Sequence, residues 1–273
     1  MALIPPFFLD CVVAIGIQEQ GNTNWIGTGF IIGRPHNDDA QGNKLYHTFL
    51  VTNKHVLLNK QNIVLRFNSS GNTPVIDYPV PLYQNGQQIW IGHPSPDVDV
   101  ATFFINPKIL HGDQAQFNFF KLDEHVMNSA MMQNDGVSEG DGIFVLGFPL
   151  GIVGPQKKHV IARFGAISRI RDLFDGQVGP YLIDASIFPG NSGGPVIIKP
   201  EAMAITGTAP VKRAALIGIV KSYVPYKDVA VSQQTGNPRV IFEENSGLAL
   251  VETVDTIETV VNDCFQQKLA NNP

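Results

Sequence analysis

The chain is poor in cysteine and poor in charge. Only Cys11 and Cys264 occur in 273 residues, near opposite ends. That count excludes a disulfide-stapled secreted scaffold and gives the expectation of a reducing, cytoplasmic compartment. Charged residues make up 16%, the formal net charge is -5 and no basic run occurs, so nothing electrostatic favours nucleic acid or an anionic membrane. No stretch of 18 apolar residues exists, so a membrane span is not expected. The start, Met1 to Asp10, is apolar but lacks a basic n-region and is broken by Pro5 and Pro6, which argues against a signal peptide. No His/Cys/Asp set has ligand spacing, and the pairs Asp38-Asp39 and Glu243-Glu244 read as solvated loop acids. Neither metal nor cofactor is expected.

What the chain has is core and turns. Apolar residues reach 44%, mean hydropathy is +0.03, and 26 Gly and 19 Pro punctuate the sequence. Short apolar or β-branched runs lie between the turns: Cys11 to Ile17, Gly29 to Ile32, Thr48 to Thr52, Ile63 to Phe67 and Val100 to Ile105 in the first half. The second half holds Gly142 to Gly147, His159 to Ile170, Tyr181 to Ala185, Pro195 to Ile198, Leu216 to Val220 and Gly247 to Glu252. Many short strands with few long helical patterns predict an all-β sandwich or barrel. The division is a first unit over 1–115, a connector over 116–137, a second unit over 138–252 and a C-terminal helix over 253–273. Two segments have helical spacing. One is Lys121 to Met132 in the connector. The other is Thr256 to Ala270, with a capping-box pattern at Asp255 and Glu258 and with Ile257, Val260, Val261, Cys264 and Phe265 on one face.

The segment Asp184-Ala-Ser-Ile-Phe-Pro-Gly190-Asn191-Ser192-Gly193-Gly194-Pro195 joins two apolar runs through a glycine-rich turn. Acyl transfer needs backbone N–H donors beside a nucleophile, and glycine lets the chain present them. The N–H groups of Gly190 and Ser192, flanking Asn191, are the natural oxyanion donors, and Ser192 Oγ the nucleophile. A plain polar loop is the competing reading of this segment by itself. A serine hydroxyl needs a base. Of seven histidines, His55 follows the strand Phe49 to Thr52 at a strand end, where a side chain enters a cleft. The base in turn needs a carboxylate to orient it. Asp99 is the last polar residue before an apolar run, and Asp97 is the alternate.

Thr52-Asn-Lys-His55-Val56, Asp99-Val-Ala101 and Gly190-Asn-Ser192-Gly-Gly-Pro195 resemble the three signatures of the trypsin-like serine proteases, in the order His, Asp, Ser. The closest branch is the HtrA/Deg type without its PDZ module. Gly27-Thr28-Gly29-Phe30-Ile31-Ile32 resembles that branch's second strand, Gly140 to Gly151 the entry to its second barrel, and Phe164 to Ser168 and Ser246 to Leu250 later strands. The resemblance implies a chymotrypsin-like double six-stranded β-barrel and a serine endopeptidase acting on polypeptides. Its triad would be His55, Asp99 and Ser192, with no cofactor. A catalytically silent peptide-binding module on the same fold is the alternative.

Two departures refine the expectation. Trypsin has Asp directly before the nucleophile, paired with a new N-terminal ammonium. Asn191 is neutral here, so control through loops is expected, with Pro149 to Gly154 as the switch. Six residues before the nucleophile stands Ser186 rather than an acid. With Ile187 beside it, cleavage after small or medium apolar residues is expected. The strand holding Ile219, Val220 and Lys221 is expected to offer its backbone to the substrate. Oligomeric state is open.

Overall fold

The structure, a computed structural model, describes residues 3–176, 179–201, 207 and 210–271. After a short helix α1 (Pro6–Asp10), the first half contains β1 (Val12–Glu19), β2 (Asn22–Asp38), β3 (Lys44–Thr52), the one-turn helix α2 (Lys54–Leu57), β4 (Asn62–Ser69) and β5 (Val75–Pro81). Four shorter elements follow: β6 (Tyr83–Gln84), β7 (Gln87–Gln88), β8 (Ile91–Gly92) and then β9 (Ala101–Ile105). After β9 come α3 (Pro107–Gly112) and β10 (Ala115–Gln116), and then, within the connector, β11 (Phe120–Lys121) and α4 (Ser129–Asn134). The second half has β12 (Gly142–Gly147), β13 (Ile161–Arg169), α5 (Arg171–Phe174), β14 (Tyr181–Asp184), β15 (Pro195–Ile198), β16 (Ala215–Val231), β17 (Pro238–Thr253) and α6 (Val254–Asn271).

The second half closes into a six-stranded barrel in the order β12-β13-β14-β17-β16-β15. The first half is a nine-stranded sheet running β10-β4-β1-β2-β3-β9-β8, with β5 on β4 and β11 parallel to β2. β10, at the edge of the connector, and β11, within it, thus pair into the first sheet.

The strands read as continuous apolar runs because both their faces are covered. Alternate side chains sort into separate cores, as the two-residue period requires. Val12, Ala14, Phe30, Ile32, Phe49 and Val51 face a core shared by the two halves and α6. Val13, Ile15, Ile31 and Leu50 fill the interior of the first sheet. In the barrel, Ile197, Leu216 and Ile219 join the shared core, while Val196, Ile198, Ile217 and Val220 fill the barrel. Ile257, Val260, Val261, Cys264 and Phe265 of α6 seal the shared core. Both thiols are free and buried.

The connector departs from its helical pattern. Val126 forms a parallel bridge with Leu216, and the Met127 N–H donates to the Leu216 carbonyl at 2.9 Å. That pairing holds the segment extended, and helix begins only at Ser129, capped by Asn128 Oδ1 accepting from Met131 N–H at 3.0 Å. The capping box at Asp255 is likewise absent: the helix starts at Val254, and Asp255 Oδ2 instead accepts from Ser129 N–H (2.9 Å) and Oγ–H (2.6 Å). A tertiary partner outcompetes the local cap.

Candidate active site

β3 ends at Thr52, Asn53 is extended, and the single turn α2 lifts His55 to the surface beside the interface of the two halves. Asp99 stands two residues before β9. His55 Nδ1 lies 2.5 Å from Asp99 Oδ2, and the His55 backbone N–H donates to Oδ1 at 3.2 Å, so one residue engages both carboxylate oxygens. Asn53 Nδ2 fixes the Asp99 backbone by donating to its carbonyl at 2.6 Å. Burial works to raise the Asp99 pKa, but the hydrogen bonds and charge of His55 outweigh it and hold the carboxyl below its ordinary value. Asp97 is exposed and contributes its backbone, whose carbonyl accepts from Lys221 Nζ at 2.5 Å.

Behind Asp99 sits a buried acid. Glu252, 1% exposed, accepts the Asp99 N–H through Oε1 at 3.2 Å, and the same oxygen lies 2.9 Å from Lys221 Nζ.

The segment from Phe188 to Asn191 is a turn closed by Asn191 N–H donating to the Phe188 carbonyl at 3.0 Å. Pro189 and Gly190, the latter at φ +96°, occupy the central positions that a type II turn demands. A Cβ on Gly190 would meet the Phe148 carbonyl oxygen at 2.3 Å. Asn191 Oδ1 accepts from Phe188 N–H at 3.2 Å, so this neutral amide braces the turn from within.

The Pro189 carbonyl accepts from Leu150 N–H at 2.6 Å. In a trans peptide the following N–H points the opposite way, so the Gly190 N–H is turned away from the Leu150 loop. Among the described residues, the N–H groups of Gly190 and Ser192 have no acceptor, whereas that of Asn191 is spent within the turn. The first half grips the turn through Thr28. Its N–H donates to the Ser192 carbonyl (2.9 Å), and its hydroxyl donates to the Gly190 carbonyl (2.6 Å) while accepting from Phe148 N–H (3.1 Å).

His55 and Ser192 line one cavity of 340 Å³, together with Ile26, Ile187, Phe188, Pro189, Gly190, Lys221, Ser222 and Tyr223. Asp99 holds Nδ1, which leaves Nε2 as the free ring nitrogen. No hydrogen bond joins His55 and Ser192 in this structure, and such bonds commonly tighten only when substrate is bound. Of the expected substrate contacts, Ile187 and Lys221 line the cavity. Ser186 is exposed and lies outside its lining. Ile219 and Val220 are buried, and Val220 has both backbone groups occupied: its N–H donates to the Gly194 carbonyl and its carbonyl accepts from Gly193 N–H. The free stretch of β16 therefore starts at Lys221 and runs through Ser222 to Tyr223.

Residues 27–201 match the family model described as a trypsin-like peptidase domain. The chain belongs to that family. No curated protein matches it in sequence. Among solved structures, the peptidase domain is similar to the inactive form of a serine-to-alanine mutant of Rv3671c from M. tuberculosis H37Rv, with a TM-score of 0.45 and 16% identity over 97% of this chain and 90% of that one. It is also similar to the inactive form of the Rv3671c protease, with a TM-score of 0.44 and 15% identity over 94% of this chain and 90% of that one.

Several residues of the peptidase domain that shape the site escape a linear reading. Thr28 and Glu252 bond backbone groups more than a hundred residues away, a pairing that carries no local signal, and Leu150, inside the Pro149 to Gly154 loop singled out above, reaches the Pro189 carbonyl in another segment of the chain. Tyr223 and Ser222 had one available sign: they directly follow the apolar run ending at Val220.

Proposed function

We propose that this peptidase domain is a serine endopeptidase. Ser192 Oγ attacks the substrate carbonyl, and His55 Nε2 takes its proton. His55 then returns the proton to the leaving amine, and water hydrolyses the acyl-enzyme with His55 again as base. Asp99 holds the ring in the tautomer protonated at Nδ1 and stabilises the imidazolium. The N–H groups of Gly190 and Ser192 receive the developing oxyanion. The observation that carries this reading is the turn at Pro189–Gly190, whose carbonyl is held back by Leu150 so that the adjacent N–H is left for the oxyanion.

Ile26, Ile187, Phe188 and Tyr223 surround the cavity, and among the described residues no carboxylate lines it. These features support cleavage after small or medium apolar residues over Arg or Lys. A peptide library preferring a basic residue at that position would refute this preference.

The missing His55–Ser192 hydrogen bond favours a second reading, a silent module that holds peptides in the same cleft. Intact mass after treatment with a fluorophosphonate probe separates the two. One adduct on the wild type and none on Ser192→Ala supports the peptidase. A folded wild type that takes no adduct, with or without an apolar peptide present, supports the silent module.

A further inference from the structure

β16 and β17 outgrow the barrel. β15 stays paired to β16 only as far as Ile219, and β14 leaves β17 at Leu248. Beyond these points Pro225–Val231 pairs only with Pro238–Asn245, so a two-stranded ribbon projects from the barrel. A lone hairpin gains little from its own contacts, yet this one carries six exposed large apolar residues: Tyr226, Val229, Val231, Val240, Ile241 and Phe242. An exposed apolar ribbon of this kind marks an interaction surface.

The ribbon has two faces, and one continues the cleft. Directly paired residues share a face. Val229 opposes Ile241, and Lys227 opposes Glu243. Glu243 Oε1 accepts from the Tyr223 hydroxyl at 3.1 Å, and Oε2 lies 3.5 Å from Lys227 Nζ. Tyr223 lines the cavity that holds Ser192. A continuous strip thus runs from the cavity wall through Tyr223 and the Lys227–Glu243 pair to Val229 and Ile241. At its base Asn245 Nδ2 donates to the carbonyl of Ile187, another cavity residue. Tyr226 and Phe242 lie on the opposite face, beside Glu244 and Asp228.

We infer that this strip is an exosite for the part of the polypeptide substrate that precedes the scissile bond. The inference rests on the peptide-cleft reading above. The leaving amine must lie at His55, so the acyl portion runs the other way, along the free edge of β16 from Lys221 to Tyr223. Tyr223 and Val229 are six residues apart, about 20 Å of strand at roughly 3.3 Å per residue, so a substrate extended along the ribbon meets Val229 and Ile241 with its seventh to ninth residues before the cut. The favoured substrate is an unfolded segment with large apolar side chains there. The strip's own charges, Lys227 and Glu243, neutralise each other and ask for no charge on the substrate.

The test compares two quenched fluorescent peptides with the same four residues on each side of the cut. One is extended on its N-terminal side by eight residues that include Ile, Val and Phe. Val229→Ser/Ile241→Ser is expected to lower kcat/KM for the long peptide at least fivefold, through KM, and to leave the short peptide unchanged. Tyr226→Ser/Phe242→Ser, on the other face, is expected to spare both. An unchanged ratio of long to short turnover in Val229→Ser/Ile241→Ser overturns the exosite. So does sedimentation showing that these changes only split a dimer, which would assign the strip to a second copy. If the wild type cleaves neither peptide, the peptidase reading fails separately. Anisotropy of the labelled long peptide on Ser192→Ala protein then decides the ribbon: binding lost with Val229→Ser/Ile241→Ser supports it, and equal binding overturns it.

Discussion

Lys221 Nζ lies 2.9 Å from Glu252 Oε1, and that same oxygen accepts the backbone N–H of Asp99 at 3.2 Å. The strand that borders the cleft and the acid that orients His55 therefore share one buried carboxylate. Glu252→Gln keeps an acceptor for Asp99 but removes the charge opposite the Lys221 ammonium, which is 22% exposed and retains the Asp97 carbonyl as a partner. A loss of about 1 to 2 kcal/mol is expected in urea unfolding, because a half-buried ammonium loses its counter-charge. The double variant Glu252→Gln/Lys221→Met is expected to recover most of it, and a double-mutant cycle reads the coupling.

Thr28 tests how far the first half sets the Pro189–Gly190 turn, the proposed oxyanion site. Thr28→Val keeps the shape and removes the hydroxyl, which leaves the Gly190 carbonyl and the Phe148 N–H without their partner. A fall of about 10- to 100-fold in kcat/KM is expected, comparable to or below the loss of one direct oxyanion donor, with the circular dichroism unchanged. Thr28→Ser retains the hydroxyl and is expected to retain most of the activity.

Leu150 donates to the Pro189 carbonyl from a left-handed conformation, φ +56° and ψ +21°, while its side chain is 63% exposed. Leu150→Pro removes the N–H and cannot adopt that φ. Labelling of Ser192 by the fluorophosphonate probe is expected to be lost. Leu150→Gly keeps the N–H and suits the conformation, so labelling is expected to persist. Equal labelling of both variants would detach the loop from the oxyanion turn.

Lys158 gives a pH signature. It is buried, its Nζ donates to the Val12 carbonyl, and burial outweighs the pull of Asp10 and Cys11 to bring its pKa down to about 8. A folded pKa below the ordinary 10.5 means that the unfolded chain binds more protons between the two values. Stability from this group is therefore lowest below about pH 8 and rises with pH through that window. The melting temperature of the wild type is expected to gain on that of Lys158→Met between pH 7.5 and pH 9.5. A constant difference would place the ammonium in contact with water.

Much of the strand plan was legible because its strands are short, apolar and bounded by turn residues. Gly142 to Gly147 and Pro195 to Ile198 coincide with β12 and β15. The ribbon was not legible. Leu216 to Val220 and Gly247 to Glu252 are only the barrel portions of β16 and β17. Beyond them both ribbon faces mix apolar and charged residues, so neither a continuous run nor a clean alternation marks it. The connector helix expected over Lys121 to Met132 forms only from Ser129, because Leu216 offered a strand partner to the residues before it.

The sequence by itself determined which residues are the candidates for the chemistry: His55, Asp99 and Ser192 stand out by type, order and their turn or strand-end settings. These are local properties, readable within a few residues. Tertiary structure decided how those groups are held. Thr28, Leu150 and Glu252 work through contacts with chain segments far away in sequence, because a buried carbonyl, N–H or ammonium needs a partner wherever the fold can supply one. It also decided that the strand bordering the cleft continues outward as a ribbon, since only pairing with β17 keeps that stretch of backbone satisfied.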